Sequence, residues 1–193
     1  ILSLLRNNKK RKKERTIVYG EEDIIRLVAT TDLFSGPCAK FYKRNIIEKN
    51  KISFSERMRI GEDTNFNIKF MEYARNAYQL DMNFYFYRSN PQSLTSNFNF
   101  DIFENSEINY YARKELLHKK NVYDKYNKKL KMMHLNSFFF SFLRIYKVGL
   151  PNPEKTIISY MDSEYYNELI KDLRLRDIKN KYAIIYVILK LRL

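Results

Sequence analysis

Ile60-Gly61-Glu62-Asp63-Thr64-Asn65-Phe66 is the stretch on which the reading of this chain turns. A glycine, two adjacent carboxylates and then an apolar-periodic run describe a chain that turns sharply and enters a helix. The spacing predicts that helix over Thr64–Ala77, with Phe66, Phe70, Tyr73, Ala74 and Ala77 on one stripe. Asp63 stands where an N-cap belongs. Acidic residues before a helix are ordinary caps, so this stretch alone leaves two roles open for Asp63. It caps a helix, or it presents a carboxylate for chemistry.

Upstream, Glu21–Leu33 has an acidic first turn and Ile24, Ile25, Leu27 and Val28 at helical spacing. Gly36-Pro37 breaks the chain, and Ala39–Asn50 reads as a second helix burying Phe41, Tyr42, Ile46 and Ile47. Ile52-Ser53-Phe54 alternates like a short strand or extended link. Downstream, Ala77–Leu80 and Phe84–Arg88 are aromatic-rich extended segments around a turn at Asp81-Met82-Asn83, and Asn90–Ser93 is a loop. Beyond Asn97 the character changes. Asn105–Leu150 is helically periodic with Lys and Arg among Tyr, Leu, Met and Phe, Pro151 and Pro153 punctuate, and Ser163–Arg176 is amphipathic. The expected boundary lies near Ser96, dividing a mixed α/β piece (1–96) from a basic, mostly helical extension (97–193).

The whole chain has 193 residues and a formal net charge of +14, with Lys, Asn, Ile, Tyr and Phe abundant. The charge favours acidic partners, nucleic acid, anionic lipid or phosphate-bearing substrates, without choosing among them. Part of it reflects the residue usage typical of AT-rich coding DNA. Cys38 is the single cysteine, and His118 and His134 stand far from it, which removes a disulfide framework, a cysteine-based zinc site and a Cys-His nucleophile. No stretch has the layout of a signal peptide, and no apolar run reaches the ~20 residues of a spanning helix. Beginning at Ile1 and ending in an apolar-basic run, the chain reads as a fragment.

Three blocks in order carry a resemblance: Gly36-Pro37-Cys38-Ala39-Lys40-Phe41-Tyr42-Lys43-Arg44, then Ile60–Phe66, then Tyr85-Phe86-Tyr87-Arg88 with Ser93 and Thr95. Together they resemble the second half of the catalytic domain of family 2 glycosyltransferases, which have the GT-A fold. The resemblance implies an α/β fold, the C-terminal half of a nucleotide-diphospho-sugar transferase domain, followed by the helical extension. It implies an inverting transfer from a nucleotide-sugar donor to a saccharide or lipid-linked acceptor. Asp63 would be the catalytic base, with Glu62 as its supporting neighbour. Such a base must reach the acceptor hydroxyl on the face opposite the departing nucleotide diphosphate.

Arg88 resembles the position that approaches the donor diphosphate or the acceptor, where a guanidinium stabilises developing charge; the alternative is a strand-end arginine at the surface. Lys40 would face the acceptor or be a solvated helix lysine. Ser93 and Thr95 would lend hydroxyls to substrate or shape their loop. The family also implies a divalent metal, Mg or Mn, held by an Asp-x-Asp motif. No Asp-x-Asp occurs in this chain, nor the family's nucleotide-binding Asp-Asp-Gly-Ser. Those parts are expected before Ile1.

Lysines framing Phe138–Leu143 and Tyr182–Leu189 suit a helix at an anionic bilayer, as in family members acting on lipid-linked acceptors. Core packing is the expectation for Phe138–Leu143 and membrane contact for Tyr182–Leu193. The family setting implies a cytoplasmic enzyme, peripheral at the inner face of a bacterial membrane and serving surface polysaccharide (capsule) synthesis. Two readings compete. A basic nucleic-acid-binding helical module lacks any helix-turn-helix, zinc-finger or RNA-recognition signature, so no nucleic-acid partner is expected. An inactive remnant would retain only a packing or membrane role.

Overall fold

Glu21, Glu22 and Asp23 open a helix directly at the end of a strand, and that junction organises the first half of the molecule. The computed structural model describes residues 16–81, 85, 86, 88, 101–148 and 151–177. Strand β1 (Thr16–Gly20) runs into α1 (Glu21–Thr30), whose carboxylates sit at the positive end of the helix dipole. Thr30 and Thr31 close α1 by donating their hydroxyls to the carbonyls of Arg26 and Leu27, each at 2.8 Å. Then follow α2 (Arg44–Lys49), α3 (Glu62–Met71) and β2 (Asn76–Leu80). β2 pairs antiparallel with β1, with Thr16 opposite Leu80 and Gly20 opposite Asn76. Later come α4 (Asp101–Lys119), α5 (Tyr123–Val148), α6 (Pro153–Met161), α7 (Glu164–Ile170) and a short 3-10 turn at Leu175–Asp177.

Because α1 is apolar on two sides, it serves two cores. Ile24, Leu27 and Val28 pack with Phe34, Phe66 and Phe70 of the first half. Ile25 and Ala29 face the other way, into a core built by α4, α5, α6 and α7 around Tyr110, Leu130, Phe139 and Leu169. Ile24 and Ala29 have no accessible surface, so any enlargement there meets close-packed neighbours. Leu116 of α4 belongs to the first core. Ion pairs also cross between the halves: Lys120 to Glu21 at 2.7 Å, Lys125 to Glu22 at 2.9 Å and Lys119 to Glu72 at 3.1 Å. Lys120 and Lys125 thus answer the acidic first turn of α1.

Phe138, Phe139 and Phe142 are buried as expected, while Phe140 and Leu143 face outward. Among the described residues, no helix is long and apolar enough to cross a membrane. Tyr182–Leu193 lies outside the described residues. Three elements differ from the sequence expectation. The helix expected over Ala39–Asn50 is confined to Arg44–Lys49, because Ala39 is left-handed (φ 55°) and Lys40 turns back on the preceding loop. The helix expected over Thr64–Ala77 starts earlier, at Glu62, and stops at Met71, since residues from Asn76 onward pair with β1. The helix expected over Ser163–Arg176 ends at Ile170, and Asp172 (φ 65°) turns the chain. Ile52-Ser53-Phe54 forms no strand; Ile52 is buried and Phe54 stacks on Phe66 with centroids 4.4 Å apart.

Candidate functional site

At the start of α3 the backbone itself selects the residues. Gly61 has φ 81°, a left-handed conformation that favours glycine, and it is the residue that precedes the helix. A Cβ there would stand 3.0 Å from Nδ2 of Asn109, which donates to the Gly61 carbonyl at 3.1 Å. Helix α4 therefore grips the turn that launches α3. This corrects the expectation that Asp63 is the N-cap: Gly61 is, and Glu62 and Asp63 fill the first turn instead. Asp63 Oδ1 accepts from the Thr64 backbone N–H at 2.6 Å.

The other Asp63 oxygen faces the Gly36-Pro37 block. A Cβ on Gly36 would stand 3.9 Å from Asp63 Oδ2, and Gly36 (φ 79°) is also left-handed. Lys40 Nζ donates to the Ser35 carbonyl at 3.1 Å and to that of Gly36. Burial pushes the Lys40 ammonium down, and the nearby Asp63 charge opposes that shift. Burial likewise raises the Tyr42 phenol to about 12, with the Asp63 charge adding to the rise. Asp63, Lys40 and Tyr42 thus share one electrostatic neighbourhood.

Asn67 ties this neighbourhood together. It is 1% exposed, four residues after Asp63 and so on the same face of α3. Its Nδ2 donates to the carbonyls of Phe34 and Gly36, the latter at 3.0 Å, and its Oδ1 accepts from Tyr42 at 2.6 Å. The Tyr42 ring meets Phe66 and Phe70 edge-on at 5.4 and 5.0 Å. One amide therefore binds both ends of the 34–42 loop to the helix that carries Asp63. A cleft of about 560 Å³ opens beside this loop, walled by Lys40, Tyr42 and Lys43 on one side and Tyr73, Arg75 and Tyr78 on the other.

The structure brings Asp63 and Lys40 together. Glu62 is half-buried beside them in the same helical turn. Arg88 is exposed, and Tyr85 and Phe86 near it are exposed too. Ser93 and Thr95 lie outside the described residues. Among the described residues no group of three or more His, Cys, Asp or Glu could hold a metal ion. The donor set for the Mg or Mn that the resemblance implies is therefore not found there. Sequence reasoning missed Asn67 and Asn109; the signal for Asn67 was a polar residue one turn beyond Asp63.

A second polar group is buried at Arg113 and His134 and reaches the surface at Asp32. Arg113 of α4 donates to His134 Nε2 at 3.0 Å and to Asp32 at 3.3 Å. Since arginine only donates, the neutral His134 ring carries its proton on Nδ1, against the Tyr165 hydroxyl at 2.9 Å. Burial, reinforced by the Arg113 charge, holds His134 well below the ordinary imidazole range. This group fastens α4, α5 and α7 to the loop after α1. Its geometry is that of a structural clamp.

No family model matches the chain, and no solved structure matches it. A stretch of 54 residues, 28% of the chain, is 39% identical to part of a Bacillus subtilis (strain 168) protein described as the uncharacterized glycosyltransferase EpsJ. That stretch spans 16% of the relative's length. The similarity of this chain to a known protein is therefore a short, partial one, and it is to a glycosyltransferase.

Proposed function

We propose that the chain carries the acceptor-side part of an inverting, nucleotide-sugar-dependent glycosyltransferase of family 2, with the GT-A fold in the whole protein. The observation that supports this most is the meeting of Gly36 with Asp63 Oδ2, which joins two sequence blocks that lie apart in the chain. The partial likeness to a glycosyltransferase points the same way.

In this reading an acceptor hydroxyl lies against Asp63. Its oxygen bonds to the anomeric carbon of the donor sugar while the nucleotide diphosphate leaves from the opposite face. Asp63 takes the hydroxyl proton, and the new linkage has inverted configuration. Glu62 supports that carboxylate. Lys40, anchored on the Ser35 and Gly36 carbonyls, fixes the loop beside Asp63 and sets the local field. Arg88, with Ser93 and Thr95, would contact the diphosphate or the acceptor. The divalent metal would be held by parts of the protein other than the described residues, and no step here passes through it. The acceptor is a saccharide or lipid-linked saccharide, used at the inner face of a bacterial membrane in surface polysaccharide synthesis.

The test is transfer of radiolabelled sugar from UDP-glucose, UDP-galactose and UDP-N-acetylglucosamine to lipid and saccharide acceptors, using the longest chain the gene encodes. Asp63→Asn should lower turnover by roughly 10²- to 10⁴-fold, the usual contribution of a positioned base, with the fold intact. Full activity in Asp63→Asn would remove Asp63 from the mechanism.

A further inference from the structure

The cleft of about 560 Å³ beside Lys40 has a size usual for a ligand site. It adjoins the candidate base, because Lys40 and Tyr42 line it and both feel the Asp63 charge. The charge of its lining has one sign. Lys40, Lys43 and Arg75 belong to that lining, and among the described residues no carboxylate does.

The three cations are not equally available. Lys40 commits its ammonium to the Ser35 and Gly36 carbonyls. Lys43, at the N-cap of α2, is exposed, and its side chain has no hydrogen-bond or ion-pair partner among the described residues. Arg75, in the link from α3 to β2, is exposed as well. Its charge reaches Glu21 only through space, and Glu21 is bound by Lys120 at 2.7 Å. Glu48 of α2 and Glu72 at the end of α3 are paired too, with Arg44 at 2.7 Å and with Lys119 at 3.1 Å. Two positive charges on opposite walls therefore remain for a ligand to answer.

A phosphate group carries between one and two negative charges at neutral pH and several acceptor oxygens, so one group can answer both cations; a carboxylate answers one. Tyr73 and Tyr78, 44% and 61% exposed, add rings that no other ring covers among the described residues. Such rings take the C–H face of a sugar. Their hydroxyls, with the amides of Asn45 and Asn76 on the same walls, exchange hydrogen bonds with its hydroxyl groups. An acyl chain would cover the rings and leave both charges unanswered. Inorganic phosphate would answer the charges and leave the rings wet.

We propose that this cleft selects the acceptor and that the acceptor is a phosphate-bearing saccharide. Lys43 and Arg75 hold the phosphate, and Tyr73 and Tyr78 carry the sugar ring. Assignment to the acceptor rests on the reading of Asp63 as the base; the binding itself does not.

The experiment is calorimetric titration of the full chain at low salt with N-acetylglucosamine 1-phosphate, against N-acetylglucosamine, inorganic phosphate and glucuronate. The phosphosugar should bind at least about tenfold more tightly than each of the three, the gain of one charge-assisted hydrogen bond or of the ring contact. Lys43→Gln and Arg75→Gln, both at exposed positions, should each weaken it by about tenfold or more with thermal unfolding unchanged. Asp63→Asn should keep this binding while losing transfer, so a failure of the cleft and a failure of the base are read separately. Equal affinity for the phosphosugar and the free sugar, or for the phosphosugar and inorganic phosphate, would overturn the proposal. So would binding indifferent to both substitutions. Glucuronate bound as tightly would overturn phosphate in favour of a carboxylate. Transfer that survives Asp63→Asn would remove the base, and with it the acceptor role of the cleft, while the binding result stands.

Discussion

Replacing Asn67 with leucine keeps the branched shape of the side chain and removes all three hydrogen bonds that lash the 34–42 loop to α3. The bond to the Phe34 carbonyl is buried, so its loss leaves an acceptor without water and costs about 1–3 kcal/mol. The bonds to Gly36 and Tyr42 are part-buried, and their loss costs about 0.5–1.5 kcal/mol each. The sum is about 2–6 kcal/mol, and a central value near 4 lowers Tm by roughly 8–16 °C for a domain of this size. Urea unfolding followed by circular dichroism measures it. Tyr42→Phe removes one of the three bonds and should cost about 1 kcal/mol. The double variant should show coupling of about 0.5–1.5 kcal/mol, because Tyr42 loses its partner in Asn67→Leu already. A cost below about 1 kcal/mol for Asn67→Leu, or strictly additive losses, would show that the amide does not hold the loop.

Two further outcomes follow from the same packing. His134 is held neutral in the fold, its imidazole lowered well below the ordinary value, so the unfolded chain takes up a proton below about pH 6.5 and the folded chain does not. Stability present above that pH should fall by about 1.4 kcal/mol per unit as pH drops, and His134→Gln should flatten this slope in urea titrations between pH 7 and 5. Gly61→Ala should cost about 1–2 kcal/mol from the left-handed backbone alone, and more as the new methyl presses on Asn109. Asn109→Ala in the same chain should recover part of that loss in thermal melts, and no recovery would locate the cost in the backbone only.

Helical periodicity made the interior legible where it was regular. Ile24, Leu27 and Val28 in α1, and Phe66 and Phe70 in α3, lie on the faces that their spacing assigns. What spacing does not convey is where a helix yields to a long-range partner. The apolar spacing runs past Met71 through Ala74 to Ala77, so the expected helix overran its end; the extended reading of Ala77–Leu80 matches β2, but its pairing with β1, far off in sequence, has no local mark. The link from Ala39 to Lys43 has helix-forming residues, and its left-handed Ala39 is imposed by Lys40 reaching back to carbonyls. In the candidate site, Asp63 and Lys40 were legible as motif residues. Their convergence was not, because it is set by Asn67, whose three partners are spread over residues 34–42. The Arg113–His134 clamp has no local signature at all, since its members come from different helices and their hydrogen bond forms only where those helices pack.

The pairing of β1 with β2 also sets an order of events during synthesis. Thr16 lies opposite Leu80, so the first strand has no partner until about sixty more residues have left the ribosome. At usual elongation rates of about 5–20 residues per second, that interval is roughly 3–12 s. Throughout it, Ile17 and Val18 present an unpaired apolar edge, and even in the finished ribbon they remain 47% and 55% exposed. Slower translation, or codons that stall between α1 and β2, should lengthen this window and raise the fraction of nascent chain lost to aggregation or held by chaperones.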